Sequence, residues 1–181
     1  MNQPALTKLI YPAFFAALIS VMGFISIPLP FSPVPITGQT LAIMLTGTLL
    51  KPKLTFWSIT IYLLLGAVGL PVFSGFSGGI GAFTSPSGGY LISYLPGAVL
   101  ISLLKGSSNT LARLALANLL GGIGIVYLIG VPWLAWITDM SMVKALTVGF
   151  LPFILGDLVK LCMAVLIGQK LHRHLEQLHN K

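Results

Sequence analysis

The chain has 181 residues, of which 56% are hydrophobic and 7% charged, with a mean hydropathy of +0.97 and a formal charge of +7. An average soluble domain is about 25% charged, so this composition excludes an ordinary water-soluble globule. Its apolar runs have the length of membrane spans, for which about 18 or more apolar residues suffice.

Six such stretches are read in chain order, which predicts an all-α integral membrane protein of six transmembrane helices forming one domain. The first, at about 9–27, exceeds the roughly 7–15-residue core of a signal peptide, and no small-x-small cleavage site follows it, so it is read as retained. After it, "PLPFSPVPITGQT" carries four prolines between Pro28 and Pro35, which restrict the chain to extended geometry. The second stretch, 36–50, is short and holds Thr37, Gln39 and Thr40; the third covers 54–70.

Between the third and fourth stretches, "GLPVFSGFSGGIGAFTSPSGGYL" has no charged residue and is too apolar for a solvated loop. Its glycines permit positive φ and close backbone approach, while Phe73, Phe76, Phe83 and Tyr90 need a surface to pack against. This segment and the proline-rich one are expected to act as a pair of lids over a small cavity near the outer face. The fourth, fifth and sixth stretches lie at 89–104, 111–130 and 151–169, and "GGIG" recurs at Gly78 and Gly121 without establishing a duplication.

The basic residues follow membrane topology better than nucleic-acid binding. With six spans, one side receives Lys8, Lys51, Lys53, Lys105, Arg113, Lys170, Arg173 and Lys181, and the other only Lys144, beside Asp139. The positive-inside rule then predicts a multi-pass protein of the cytoplasmic (inner) membrane with both termini cytoplasmic. Trp57, Trp133 and Trp136, near predicted span ends, are read as interfacial anchors.

Several chemistries lack their residues. Cys162 is the chain's one cysteine, which excludes a disulfide framework, and its place inside the last span predicts a buried structural thiol. His172, His174 and His179 crowd into the tail, where Leu171, Leu175 and Leu178 indicate a helical end lying on the membrane rather than a metal site; no metal or cofactor is expected. No G-x-x-x-x-G-K-[ST] loop occurs, so ATP-driven transport would need an ATPase on another subunit. "GFSG" at Gly75–Gly78 matches the G-x-S-G of rhomboid-type intramembrane serine proteases, but that chemistry needs a base beside the serine, and every histidine follows the sixth span.

One pair of residues runs against the apolar background: Asp157 and Lys160 in "FLPFILGDLVKLCMAVLIG". A charge at a helix centre in hydrocarbon costs roughly 2.5–3.5 kcal/mol on insertion scales. Residues three apart share a helix face, so the two can point together into the bundle. A salt bridge that merely held helices together is often no more stabilising than apolar residues of the same volume, so the pair is read as a ligand site.

The segments "PVPITGQTLAIMLTGTLL", "YLLLGAVGLPVFSGFSGGIGAFTSPSGGYL" and "LPFILGDLVK" together resemble the biotin-specific substrate-binding subunits of energy-coupling-factor transporters, the BioY family. The resemblance covers most of the chain. It implies a non-enzymatic six-helix subunit that binds biotin from outside, under its first and third loops. It also implies assembly with a transmembrane coupling subunit and two cytoplasmic ATPases. In "AFFAA", Ala13 and Ala17 are similar to the small-residue motif with which such subunits dock on that partner. The candidate substrate-binding residues are Asp157 and Lys160 with Gln39, Gly81, Phe83, Thr84, Ser85, Gly88, Gly89 and Tyr90. A ureido ring, with two N–H donors and one carbonyl, matches a carboxylate and a donor; Phe83 and Tyr90 would wall the thiophane ring. The biotin carboxylate would meet either Lys160 or donors such as Thr84, Ser85 and Gly89. The same architecture could serve another vitamin, since fold does not fix ligand.

Overall fold

The structure, a computed structural model, describes the backbone of residues 3–106 and 110–179 and the side chains of 10–106 and 110–171. The side chains of Lys8, Arg173, Lys181 and the three histidines lie outside the described ones.

The chain is mostly helical. Helix α1 (Gln3–Phe24) leads into an antiparallel hairpin, β1 (Ser26–Leu29) and β2 (Ser32–Thr37), in which Ser26 faces Thr37 and Ile27 faces Ile36. The proline-rich segment thus adds a small sheet to an architecture expected to be all helical. Prolines are tolerated there because both strands of a two-stranded ribbon are edges. Helix α2 (Gln39–Leu49) and α3 (Pro52–Ala67) follow, the latter opening on Pro52, where an N–H would have no partner anyway.

The glycine-rich segment contains two short 3-10 turns, Ser74–Phe76 and Ile80–Ala82, before α4 (Gly88–Lys105). It is anchored by Phe73, whose ring is 1% exposed and lies on Gly66 of α3, where a Cβ would fall 1.9 Å from the ring. Phe76, by contrast, is exposed, has φ 59° and stacks on Phe24 at 4.6 Å between centroids, tying the segment to the end of α1.

Helix α5 (Leu111–Asn118) passes through a π-helical turn, Leu119–Ile125, into α6 (Val126–Ile137). This helix runs seven residues beyond the fifth apolar stretch. Then come α7 (Met142–Gly149) and α8 (Ile154–His179), bent by 53° from one another. Pro152 accounts for the break, because it offers no N–H to a continuing helix and disfavours helical geometry at Leu151.

Among the described residues, Gly88–Lys105 and Leu111–Ile137 are long and apolar enough to cross a membrane, and α7 with α8 makes a third if the bent pair is one span. Ile10–Gly23 and Gln39–Leu49 are shorter apolar helices. Helix α4 is central and packs on α2, α3, α5 and α6. It crosses the π turn closely, since a Cβ on Gly97 would meet the Gly121 carbonyl at 2.6 Å. Several buried hydroxyls are satisfied within their own helices, as Thr46 to Ala42 O and Ser58 to Leu54 O illustrate, while Ser102 donates across to Leu50 O at 2.6 Å. Outward-facing residues such as Leu128, Val143 and Leu155 leave an apolar surface suited to hydrocarbon.

One expectation about a helix face is overturned. Cys162 is exposed rather than buried. The inward face of α8 is set by Asp157, Leu161, Ala164 and Gly168, and five residues of helical rotation carry Cys162 away from Asp157. Ala13 and Ala17 are exposed as well, while Pro12, Phe15, Ala16 and Ile19 face the bundle.

Candidate ligand-binding site

A cavity of about 40 Å³ lies where the N-terminal ends of α2, α4 and α8 converge beneath β2 and the glycine-rich segment. Val34 and Pro35 of β2 and Ser74 form its cover, and Tyr90, Tyr94, Tyr127 and Phe153 its aromatic walls. Its polar groups include Thr37, Gln39, Thr40, Ser74, Ser87, Asp157 and Lys160.

Asp157 and Lys160 form an ion pair of 3.0 Å from Nζ to Oδ1. The break at Pro152 gives them their place, because α8 restarts at Ile154 and puts Asp157 in its first turn, where the helix dipole favours a negative charge. The pair is not isolated. Lys160 Nζ also donates to Thr40 Oγ1 at 2.8 Å, and Thr40 Oγ1 donates to Asp157 Oδ1 at 3.3 Å. The other carboxylate oxygen, Oδ2, accepts from the Tyr127 hydroxyl. Asp157 is only 3% exposed, so these groups replace the water a carboxylate would otherwise demand.

Tyr90 is fixed by donating to Gly149 O at 2.8 Å and by edge-on packing with Tyr127. Gln39 touches the cavity but spends its amide on the Tyr62 hydroxyl and on Val72 O at 3.3 Å, pinning α2 to α3 and the glycine-rich segment.

Of the residues expected at the site, the structure brings together Asp157, Lys160, Tyr90 and Gln39. Gly81, Phe83, Thr84, Ser85, Gly88 and Gly89 do not line this cavity. Thr84 and Ser85 turn their hydroxyls onto the Gly81 and Ala82 carbonyls, and Phe83 packs edge-on against Phe73. A Cβ on Gly88 would strike the Phe83 carbonyl, and one on Gly89 the Trp133 side chain. Trp133 also donates to Ser85 O at 3.1 Å, so it anchors the segment from behind. Besides Ser74, a polar residue of this region that reaches the cavity is Ser87, at the start of α4, whose hydroxyl has no side-chain capping bond. Ser77 of "GFSG" donates to Ser74 O at 2.8 Å on the exposed surface.

Thr40, Tyr94 and Tyr127 line the cavity without being among the residues the sequence assigns to it. Thr40 had a signal, since it follows Gln39 in an apolar stretch. Tyr127 had none, for its orientation depends on the π turn.

The cavity sits at the opposite end of the bundle from most of the described basic residues. Lys51 follows the C-terminal end of α2, Lys105 is the last residue of α4, and Arg113 reaches across to Leu104 O at 2.7 Å. Fold and site together define a membrane-embedded helical protein with a small-molecule cavity closed by two loop segments and floored by a buried ion pair.

Comparison with known proteins gives the family. A model described as the BioY family matches residues 1–177, and the chain belongs to that family. The biotin transporter BioY of Thermotoga maritima is 41% identical over 167 residues, covering 92% of this chain and 96% of its own. That of Rhizobium etli is 38% identical, covering 89% and 90%. Among solved structures, the S-component for biotin from an ECF-type ABC transporter superposes with a TM-score of 0.90 at 35% identity, covering 96% of this chain and 94% of the other.

Proposed function

We propose that this chain is the biotin-binding subunit of an energy-coupling-factor transporter and takes up biotin across the cytoplasmic membrane. It is a transport subunit, not an enzyme. The observation that carries the reading is the Asp157–Lys160–Thr40 cluster at the floor of an aromatic cavity, in a member of the BioY family.

The chemistry favours one orientation of the ligand. A ureido ring is neutral and offers two donors and one acceptor, which an Asp–Lys pair of zero net charge can match. Placing the biotin carboxylate there would instead set a second anion beside Asp157 in a poorly solvated site. The start of α4 suits the carboxylate better, because the helix dipole favours an anion there and the Ser87 hydroxyl faces the cavity. A cavity of about 40 Å³ is too small for a bicyclic vitamin, so one enters as β2 and the glycine-rich segment separate.

In this reading the chain crosses the membrane six times, with α1, α2, α3, α4, the α5–α6 helix and the bent α7–α8 pair as spans. The basic ends at Lys51, Lys53, Lys105 and Arg113 face the cytoplasm, as the positive-inside rule directs, and the cavity opens outside. Both termini are cytoplasmic. The exposed Ala13 and Ala17 dock on a transmembrane coupling subunit, which works with two cytoplasmic ATPases.

Competition on membranes tests the ligand. Membranes from cells expressing the chain should retain labelled biotin, displaced by unlabelled biotin and not by thiamine or riboflavin. Displacement by one of those vitamins, or retention no higher than in membranes lacking the chain, contradicts the reading.

A further inference from the structure

The helix from Leu111 to Ile137 changes face partway along. Before the π turn its buried positions include Leu114, Ala117, Asn118 and Gly121. At about 3.6 residues per turn, an unbroken α-helix would continue that face through Leu128 and Pro132. Both are exposed, and the buried face continues through Val126, Gly130 and Leu134 instead. The π turn over Leu119–Ile125 supplies the extra residue that produces this shift. It turns the following helix by about 100°. The glycines allow it: a Cβ on Gly121 would strike Gly97 O at 2.5 Å, and one on Gly122 would strike the Met44 side chain at 2.8 Å. Tyr127 is the second residue after the turn, so its direction depends on the shift.

Resting on the biotin-binding reading above, we infer that Tyr127 is the positioning residue of the site, aimed by the π turn at Asp157 and holding the carboxylate in the orientation that accepts ligand N–H groups. Oδ1 of Asp157 is engaged by both Lys160 and Thr40, whereas among the described residues Oδ2 accepts from Tyr127 alone. A carboxylate oxygen has about two lone-pair sites, so Oδ2 retains capacity for a ligand donor. The terminal torsion of an aspartate is broad, and Tyr127 is the group that pins the Oδ2 side of it. Tyr127 is itself held, edge-on to Phe150 at 4.7 Å and to Tyr90 at 6.1 Å between centroids. It acts on the ligand through Asp157.

The test is a cycle of Tyr127→Phe, Asp157→Asn and the double variant on the purified chain, with biotin affinity and thermal unfolding midpoint measured for each. Tyr127→Phe should weaken biotin binding by about tenfold to a hundredfold, the range for a hydrogen bond to a charged group, in a chain that still unfolds cooperatively, with a midpoint lowered because the buried Oδ2 loses its donor. In the Asp157→Asn background the same change should alter affinity less than twofold. Losses that multiply, or a Tyr127→Phe variant that binds as the unaltered chain does, overturn the inference. A second readout needs no ligand. The chain has two aspartates, Asp157 and the exposed Asp139, so carbon-13 labelling of aspartate isolates their carboxylate stretch in the infrared. Tyr127→Phe should shift the Asp157 band, and an unmoved band overturns the inference. Failure of the unaltered chain to bind biotin would instead refute the functional reading, with the infrared result still judging Tyr127.

Discussion

Removing the charge from Asp157 separates binding from stability only if Lys160 is treated with it. The pair is well buried, at 4% and 17% side-chain exposure. Breaking a buried pair by removing one partner costs about 3–5 kcal/mol. Lys160 keeps its bond to Thr40 and some exposure to the cavity, so Asp157→Asn should fall at the lower end, about 3 kcal/mol of stability. Its effect on binding is a separate quantity. A lost hydrogen bond to a charged acceptor is worth about 1.5–3 kcal/mol, or about a 10- to 150-fold rise in the biotin dissociation constant. The double variant Asp157→Asn, Lys160→Met removes both charges, and replacing a buried ion pair by groups of similar volume is often neutral. It should recover stability to within about 1 kcal/mol while biotin affinity stays lost. The assay is equilibrium binding of labelled biotin to each purified variant, alongside its thermal midpoint in detergent. A double variant that folds and binds biotin as tightly as the unaltered chain would reduce the pair to a structural bridge and refute the reasoning.

Three further outcomes follow from the same geometry. In a Cys162→Ser background, a cysteine at Lys53 should be shielded from an impermeant thiol reagent in intact cells while one at Ser141 labels; the reverse pattern would invert the orientation. Because Ala13 and Ala17 face outward, Ala13→Trp or Ala17→Trp should abolish co-purification with the coupling subunit and leave biotin affinity intact. Loss of both would return these alanines to packing within the bundle. Phe76→Ala removes the stack on Phe24, an interaction worth about 0.5–1.5 kcal/mol, and should speed biotin release by about two- to tenfold; an unchanged release rate would deny the segment a role as a lid.

The part of the site legible in the sequence was the part that broke a rule locally. Asp157 and Lys160 stood out because charge is costly among apolar neighbours, and their spacing fixed a common face without further information. Pro152 marked where their helix could start. The remainder depended on features with no local signature. The π turn advances the inward face of a helix by one residue, so no periodicity count at about 3.6 residues per turn would have turned Tyr127 toward Asp157. The hairpin at Ser26–Thr37 was masked by prolines that a two-stranded ribbon tolerates and a larger sheet would not. In the glycine-rich segment, composition announced close packing but not its direction. Phe73 and Gly66 took the core contact, Trp133 took Gly89, and Ser87 rather than Thr84 or Ser85 reached the cavity. Cys162 departs from its expected buried place for a related reason, since a residue inside a membrane helix can face lipid as readily as protein.

The most direct measurement is a calorimetric titration of the purified, monodisperse chain with biotin. The account predicts saturable binding of one biotin per chain with nanomolar affinity, greatly weakened in the Asp157→Asn, Lys160→Met variant. A folded chain that takes up no biotin, or a double variant whose affinity is unchanged, would contradict the claim that this cavity and its charged floor form the biotin site.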